Sequence, residues 1–139
     1  MIFYGKHKIE QDDIDAVANV LRSNWLTCGP IVNEFEEFLG KTVDSKHAIT
    51  CSNGTTAIHL ALLALKIKKG DFVLVPAVSF LSTANAVRYV GADVIFVDVD
   101  PSTGLVTKDT LENAIKKNKH KNLKAFINVH LMGQCEDLE

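Results

Sequence analysis

The segment Ser52-Asn53-Gly54-Thr55-Thr56-Ala57 is where residue types and order in this chain could do chemistry. It follows a short β-prone run, His47 to Cys51, and opens a long apolar helix, Thr56 to Leu65. Backbone N–H groups at a helix start point outward at the positive end of the helix dipole, and Thr55 and Thr56 add hydroxyls beside them. That is the physics of a phosphate cradle. Gly54 allows a tight turn or the close approach of an anion. An ordinary capped strand-to-helix turn uses the same residues, so this segment alone leaves both readings open. Phe80, in Pro76-Ala77-Val78-Ser79-Phe80, lies just beyond a strand end. An aromatic there could stack on a flat ring at the carboxyl edge of a sheet, where open α/β sheets bind ligands. A core aromatic at a helix start is the plainer alternative. His130, at the end of the last strand, could face the same crevice; it reads as a structural group and is assigned no chemistry.

Better-known signatures are absent. No Gly-x-Gly-x-x-Gly fingerprint occurs, and Gly40-Lys41-Thr42 imitates the end of a P-loop while Phe35 stands at its first glycine position. Asn53-Gly54-Thr55 matches a glycosylation sequon by coincidence, because nothing in the sequence indicates secretion. No spacing among His, Cys, Asp and Glu suggests a metal site.

The elements that must position these residues alternate. Asp12 or Asp13 can cap a first helix carrying Ile14, Val17, Ala18 and Leu21 on one face. Ser23 to Gly29 reads as a loop, and Pro30 begins a second helix with Ile31, Phe35, Phe38 and Leu39 inward and Gly40 as its C-terminal cap. Beyond the apolar helix come a strand, Phe72 to Val75, a helix, Leu81 to Tyr89, and a strand, Asp93 to Val97. A helix capped by Thr107 and a last strand, Leu123 to Val129, complete the series. The strands are continuous apolar runs, as in a parallel sheet covered on both faces. The expected fold class is α/β with a mainly parallel sheet. Residues 1–45 form two amino-terminal helices and 46–139 the α/β part.

Composition bounds the partners. Of 139 residues, 47% are hydrophobic and 23% charged, with a net charge of −2. That balance argues against nucleic acid as the main partner. No apolar run approaches the roughly 20 residues that span a bilayer. Three widely spaced cysteines, without a Cys-x-x-Cys pair, fit a reducing cytoplasm.

In order along the chain stand Asn24-Trp25-Leu26-Thr27-Cys28-Gly29-Pro30, Ser52-Asn53-Gly54-Thr55-Thr56-Ala57, Gly70-Asp71, Pro76, Phe80-Leu81-Ser82-Thr83-Ala84-Asn85, Gly91-Ala92, Phe96-Val97-Asp98-Val99-Asp100 and His130-Leu131-Met132-Gly133-Gln134. Together they resemble the amino-terminal part of the DegT/DnrJ/StrS sugar aminotransferases, which are fold type I enzymes dependent on pyridoxal 5′-phosphate (PLP). The resemblance implies that Gly54, Thr55 and Thr56 hold the PLP phosphate and that Phe80 stacks on the pyridine ring. It implies substrate contacts at Tyr4, Asn24, Trp25, Leu26, Thr27 and Asn53. The partners it implies are a nucleotide-linked keto-sugar, glutamate as amino donor, and a second copy in a homodimer with active sites at the subunit interface. Tyr4-Gly5 and Leu21 to Pro30 look most like the 4-aminotransferases of pseudaminic acid synthesis, which aminate a UDP-linked 4-keto-6-deoxy-N-acetyl hexose. Family members carry their Schiff-base lysine further along than Glu139, so 1–139 is expected to be a fragment that does not transaminate alone. Relatives with histidine at that lysine position dehydrate the sugar at C3. A non-catalytic stub that binds phosphate or pairs with another chain is a further alternative.

Overall fold

The computed structural model describes residues 5–138, which form two compact units divided between Thr50 and Cys51.

The first unit holds two helices, α1 (Gln11–Arg22) and α2 (Pro30–Thr42). Glu10, rather than Asp12 or Asp13, is the N-cap of α1. Asp13 acts one turn inside, its carboxylate accepting the Glu10 N–H at 2.9 Å. Pro30 begins α2 as expected, because its missing N–H lies where a helix start leaves that group unpaired. Gly40 does not cap α2. It is buried within the helix, where a Cβ would come within 3.1 Å of the Ser45 carbonyl oxygen. Close approach of the returning chain, not left-handed backbone, accounts for glycine here. The left-handed position falls on Asp44, at φ 51°. His47 to Cys51 forms no strand. The Glu36 carboxylate takes the Thr50 N–H at 2.7 Å and its hydroxyl at 2.8 Å, and no strand pairs with this run among the described residues.

The second unit runs α3 (Gly54–Ala64), β1 (Phe72–Pro76), α4 (Ser82–Tyr89), β2 (Asp93–Val97), α5 (Lys108–Lys117), β3 (Leu123–Phe126) and a 3-10 turn, Leu131–Gly133. The strands form a parallel sheet in the order β2-β1-β3. Strand alternation divides the apolar residues between two cores. Val73 and Val75 join Leu62, Ala86 and Val87 of α3 and α4 on one face. Leu74, Ile95 and Val97 join Val106 on the other, where Leu111 and Ala114 of α5 also pack. Helices therefore cover both faces, as the apolar strands require.

Two details set the sheet's edges. β3 ends at Phe126, short of the expected Val129. Ile127 still donates to Leu74 O at 3.0 Å, but the next ladder bond would need an N–H from Pro76, which has none. At the amino edge Asp71 is only 4% exposed. Its carboxylate accepts the Lys68 N–H at 2.9 Å and the Asn122 amide at 2.7 Å, tying the start of β1 to the start of β3.

Candidate functional site at the carboxyl edge of the sheet

Connectivity sets the direction of α3 against β1. The segment after α3 turns straight back into β1: Ile67 N–H bonds to Leu62 O at 3.0 Å, and Ile67 packs in the same core as Val73. The helix therefore runs antiparallel to the strand. Eleven helical residues rise about 16 Å, and five strand residues rise about the same. α3 and β1 are thus of similar length, and β1 ends at Pro76, where the loop carrying Phe80 begins.

The turn itself is built around Asn53, the N-cap of α3. Asn53 Oδ1 accepts the Thr56 N–H at 2.9 Å and the Thr56 hydroxyl at 3.1 Å. Ser52 Oγ lies 3.2 Å from Thr56 Oγ1 and accepts from Asn53 Nδ2 at 3.4 Å. A helix leaves its first four N–H groups without intrahelical acceptors. Here the cap satisfies the one on Thr56, while those of Gly54 and Thr55 meet no acceptor among the described residues. The helix starts at Gly54, two residues before the expected Thr56. Gly54 lies in ordinary helical backbone, and a Cβ added there would meet nothing within 4 Å. The tight-turn explanation for this glycine falls away. What remains is open space in front of unpaired N–H donors at a helix dipole's positive end, which can hold a phosphate.

Phe80 is 78% exposed, so the core alternative for it is excluded. Its loop lies between β1 and α4, with Thr83 N–H donating to Phe80 O at 3.0 Å and Ser79 Oγ 2.6 Å from Thr83 Oγ1. Phe80 borders a cavity of about 180 Å³ with Pro76, Ser79, Thr83 and Phe96. Beyond β3, His130 is exposed and its Nδ1 lies 3.3 Å from Cys135 Sγ. Sequence reasoning missed this pair, because neither spacing nor residue order announces a contact five residues apart across a loop.

Tyr4 lies outside the described residues. Asn24, Trp25, Leu26 and Thr27 belong to the first unit. There the Trp25 indole N–H donates to Thr27 O at 2.8 Å, and the Ser23 hydroxyl braces the Trp25 backbone at 3.2 and 3.3 Å. Asn24 and Trp25 line an apolar cavity of about 550 Å³ with Ala16, Val20, Pro30 and Ile31. Among the described residues no group of three or more His, Cys, Asp or Glu could hold a metal ion, and no helix is long and apolar enough to cross a membrane.

Comparison with known proteins follows the same lines. Residues 7–139 match the model of the DegT/DnrJ/EryC1/StrS aminotransferase family. A curated relative, the UDP-4-amino-4-deoxy-L-arabinose–oxoglutarate aminotransferase of Shewanella sediminis, is 38% identical over 131 residues, covering 94% of this chain and 33% of the relative. The aminotransferase from Psychrobacter cryohalolentis is 34% identical, with a TM-score of 0.86 over 97% of this chain and 34% of its own. NtdA from Bacillus subtilis, solved with bound cofactor PMP, is 35% identical, with a TM-score of 0.80 over 93% of this chain and 30% of its own. The chain spans about a third of the length of the relatives it matches.

Proposed function

The chain belongs to the DegT/DnrJ/EryC1/StrS aminotransferase family, and from that premise we propose that it supplies the phosphate cradle and one ring face of a PLP site in an aminotransferase acting on a nucleotide-linked 4-keto-6-deoxy sugar. The observation that supports the reading is the pair of unpaired N–H donors at Gly54 and Thr55 facing open space, and the exposed ring of Phe80 beyond β1 is proposed to complete the site. The donors and the open space at Gly54 fit a phosphate monoester, and a bare aromatic face fits a pyridine ring. The PMP held by NtdA, a relative with the same fold over this region, supports the choice of cofactor.

PLP supplies the electron sink through which an amino group passes between donor and keto-sugar. The residues of this chain bind and orient. Gly54 and Thr55 hold the phosphate by backbone N–H groups, and the Thr55 hydroxyl adds a donor. Asn53 keeps the Thr56 N–H and hydroxyl engaged, so Thr56 shapes the turn and assists less directly than its neighbours. Phe80 shields one face of the ring from water. Tyr4, Asn24, Trp25, Leu26 and Thr27, with Asn53, are assigned to the nucleotide sugar.

Glutamate is the proposed amino donor. The name of the Shewanella relative pairs an amino-sugar nucleotide with oxoglutarate, the keto partner of glutamate. The whole protein is proposed to act in the cytoplasm as a homodimer, in making surface polysaccharide or a nonulosonic acid. Within it, residues 1–45 contribute two helices and 46–139 the first part of the cofactor-binding domain. The test is to incubate the whole protein with PLP, glutamate and a UDP-linked 4-keto-6-deoxy-N-acetyl hexose. The expected result is equimolar 2-oxoglutarate and amino sugar. Cofactor binding without any 2-oxoglutarate would reject the assigned reaction.

A further inference from the structure

We propose that Cys135 is a base-assisted thiol, the chain's preferred site of covalent modification by peroxides and soft electrophiles. The inference does not rest on the cofactor reading above.

The thiol is paired with a base by the fold. Cys135 Sγ lies 3.3 Å from His130 Nδ1, and both side chains are exposed. Two consecutive left-handed residues, Met132 at φ 56° and Gly133 at φ 77°, turn the chain back after β3. Gly133 N–H then bonds to His130 O at 3.0 Å and Gln134 N–H to Leu131 O at 3.1 Å. From the other side Leu131 packs closely over Gly104, where a Cβ would come within 3.0 Å of it. A left-handed, non-glycine Met132 costs about 1–2 kcal/mol, so this loop is held in place by its surroundings. The result is an imidazole nitrogen fixed on an accessible thiol at the carboxyl edge of the sheet.

The chain holds its own controls. Cys28 and Cys51 are also exposed. The Cys51 thiol donates to the Asn53 carbonyl at 3.3 Å, and a carbonyl oxygen is no base. Cys28 has no base within bonding distance among the described residues. Attack on an electrophile requires loss of the thiol proton, and among the described residues Cys135 is the cysteine with an imidazole in contact to receive it. With hydrogen peroxide the step balances. Sulfur attacks one peroxide oxygen as the O–O bond breaks, and the thiol proton passes through His130 Nδ1 to the departing hydroxide. The products are a sulfenic acid and water; sulfur is oxidised by two electrons and peroxide is reduced.

The test is site-resolved mass spectrometry on the full chain, with iodoacetamide for rates and with peroxide followed by dimedone for sulfenic acid. Cys135 should alkylate at least about tenfold faster than Cys28 or Cys51 at neutral pH, and should carry most of the dimedone adduct. His130→Gln should bring its rate down to theirs, and His130→Asn should do the same as a second replacement. Three rates within about twofold in the unsubstituted chain would overturn the proposal. So would an undiminished Cys135 lead in both folded His130 variants, as judged by unchanged circular dichroism.

Discussion

Asn53 Oδ1 binds Thr56 twice, taking its backbone N–H at 2.9 Å and its hydroxyl at 3.1 Å. One cap therefore divides the labour of the turn. Thr56 is committed to the protein, while Gly54 and Thr55 present donors to whatever approaches the start of α3.

Stability and binding should separate at this turn. Asn53→Ala removes the cap and should cost about 1 kcal/mol of folding stability. Gly54→Ala meets no neighbour within 4 Å, so the fold should keep its stability or gain up to about 1 kcal/mol in helix propensity. The same methyl, placed where an anion would approach, should weaken phosphate binding by about tenfold or more. Thermal unfolding and PLP titration of both variants check the pair.

Asp71 and Asn122 hold the opposite edge. Asp71 is almost fully buried, and its carboxylate depends on the Lys68 N–H and the Asn122 amide. Asn122→Ala should leave the buried carboxylate one donor short and cost about 1–3 kcal/mol. Asp71→Asn should be milder, because an amide still accepts one of these bonds. Denaturant midpoints measured by far-ultraviolet circular dichroism decide the order.

In the first unit, Glu36 carries a pH signature. Bonds from the Thr50 N–H, and then from its hydroxyl, hold the Glu36 carboxyl below its ordinary value of 4.5. A lowered carboxylate stabilises fully above its unfolded value and loses that contribution as pH falls through the folded one. The Thr50 amide resonance should therefore stay constant from neutral pH down to about pH 5 and move only below the ordinary glutamate range. Glu36→Gln should abolish the titration at Thr50; a midpoint at or above the ordinary value would contradict the contact.

Much of this was legible in residue order. β2 was read to the residue, Pro30 announced α2, and Thr107 announced α5, because apolar runs and capping residues encode local choices directly. Errors came where a distant partner decided. Gly40 looks like a cap until Ser45 folds back on it, and His47 to Cys51 looks like a strand until Glu36 takes the Thr50 N–H. β3 stops early because of Pro76, at the end of its sheet neighbour β1. At the candidate site, residue order alone raises both the Gly54 turn and a stacking Phe80 beside plainer alternatives, and the resemblance favours the binding roles. The Cys135–His130 contact was in neither, since a left-handed methionine creates it.

Phe80 should matter to the ligand and hardly at all to the fold. At 78% exposure, Phe80→Ala should change folding stability by no more than about 0.5 kcal/mol. Lost stacking should weaken PLP binding by several-fold to tenfold. Equal losses in stability and affinity would mean that the ring is structural.

The most direct test of the central claim is to titrate PLP into the chain while following backbone amide resonances, with phosphate-free pyridoxal as the comparison. The account predicts saturable shifts concentrated at Gly54, Thr55 and the Phe80 loop, with pyridoxal failing to move Gly54 and Thr55. Equal shifts from both compounds, or PLP shifts that spare the start of α3, would contradict the assignment of this helix N-terminus as the phosphate cradle.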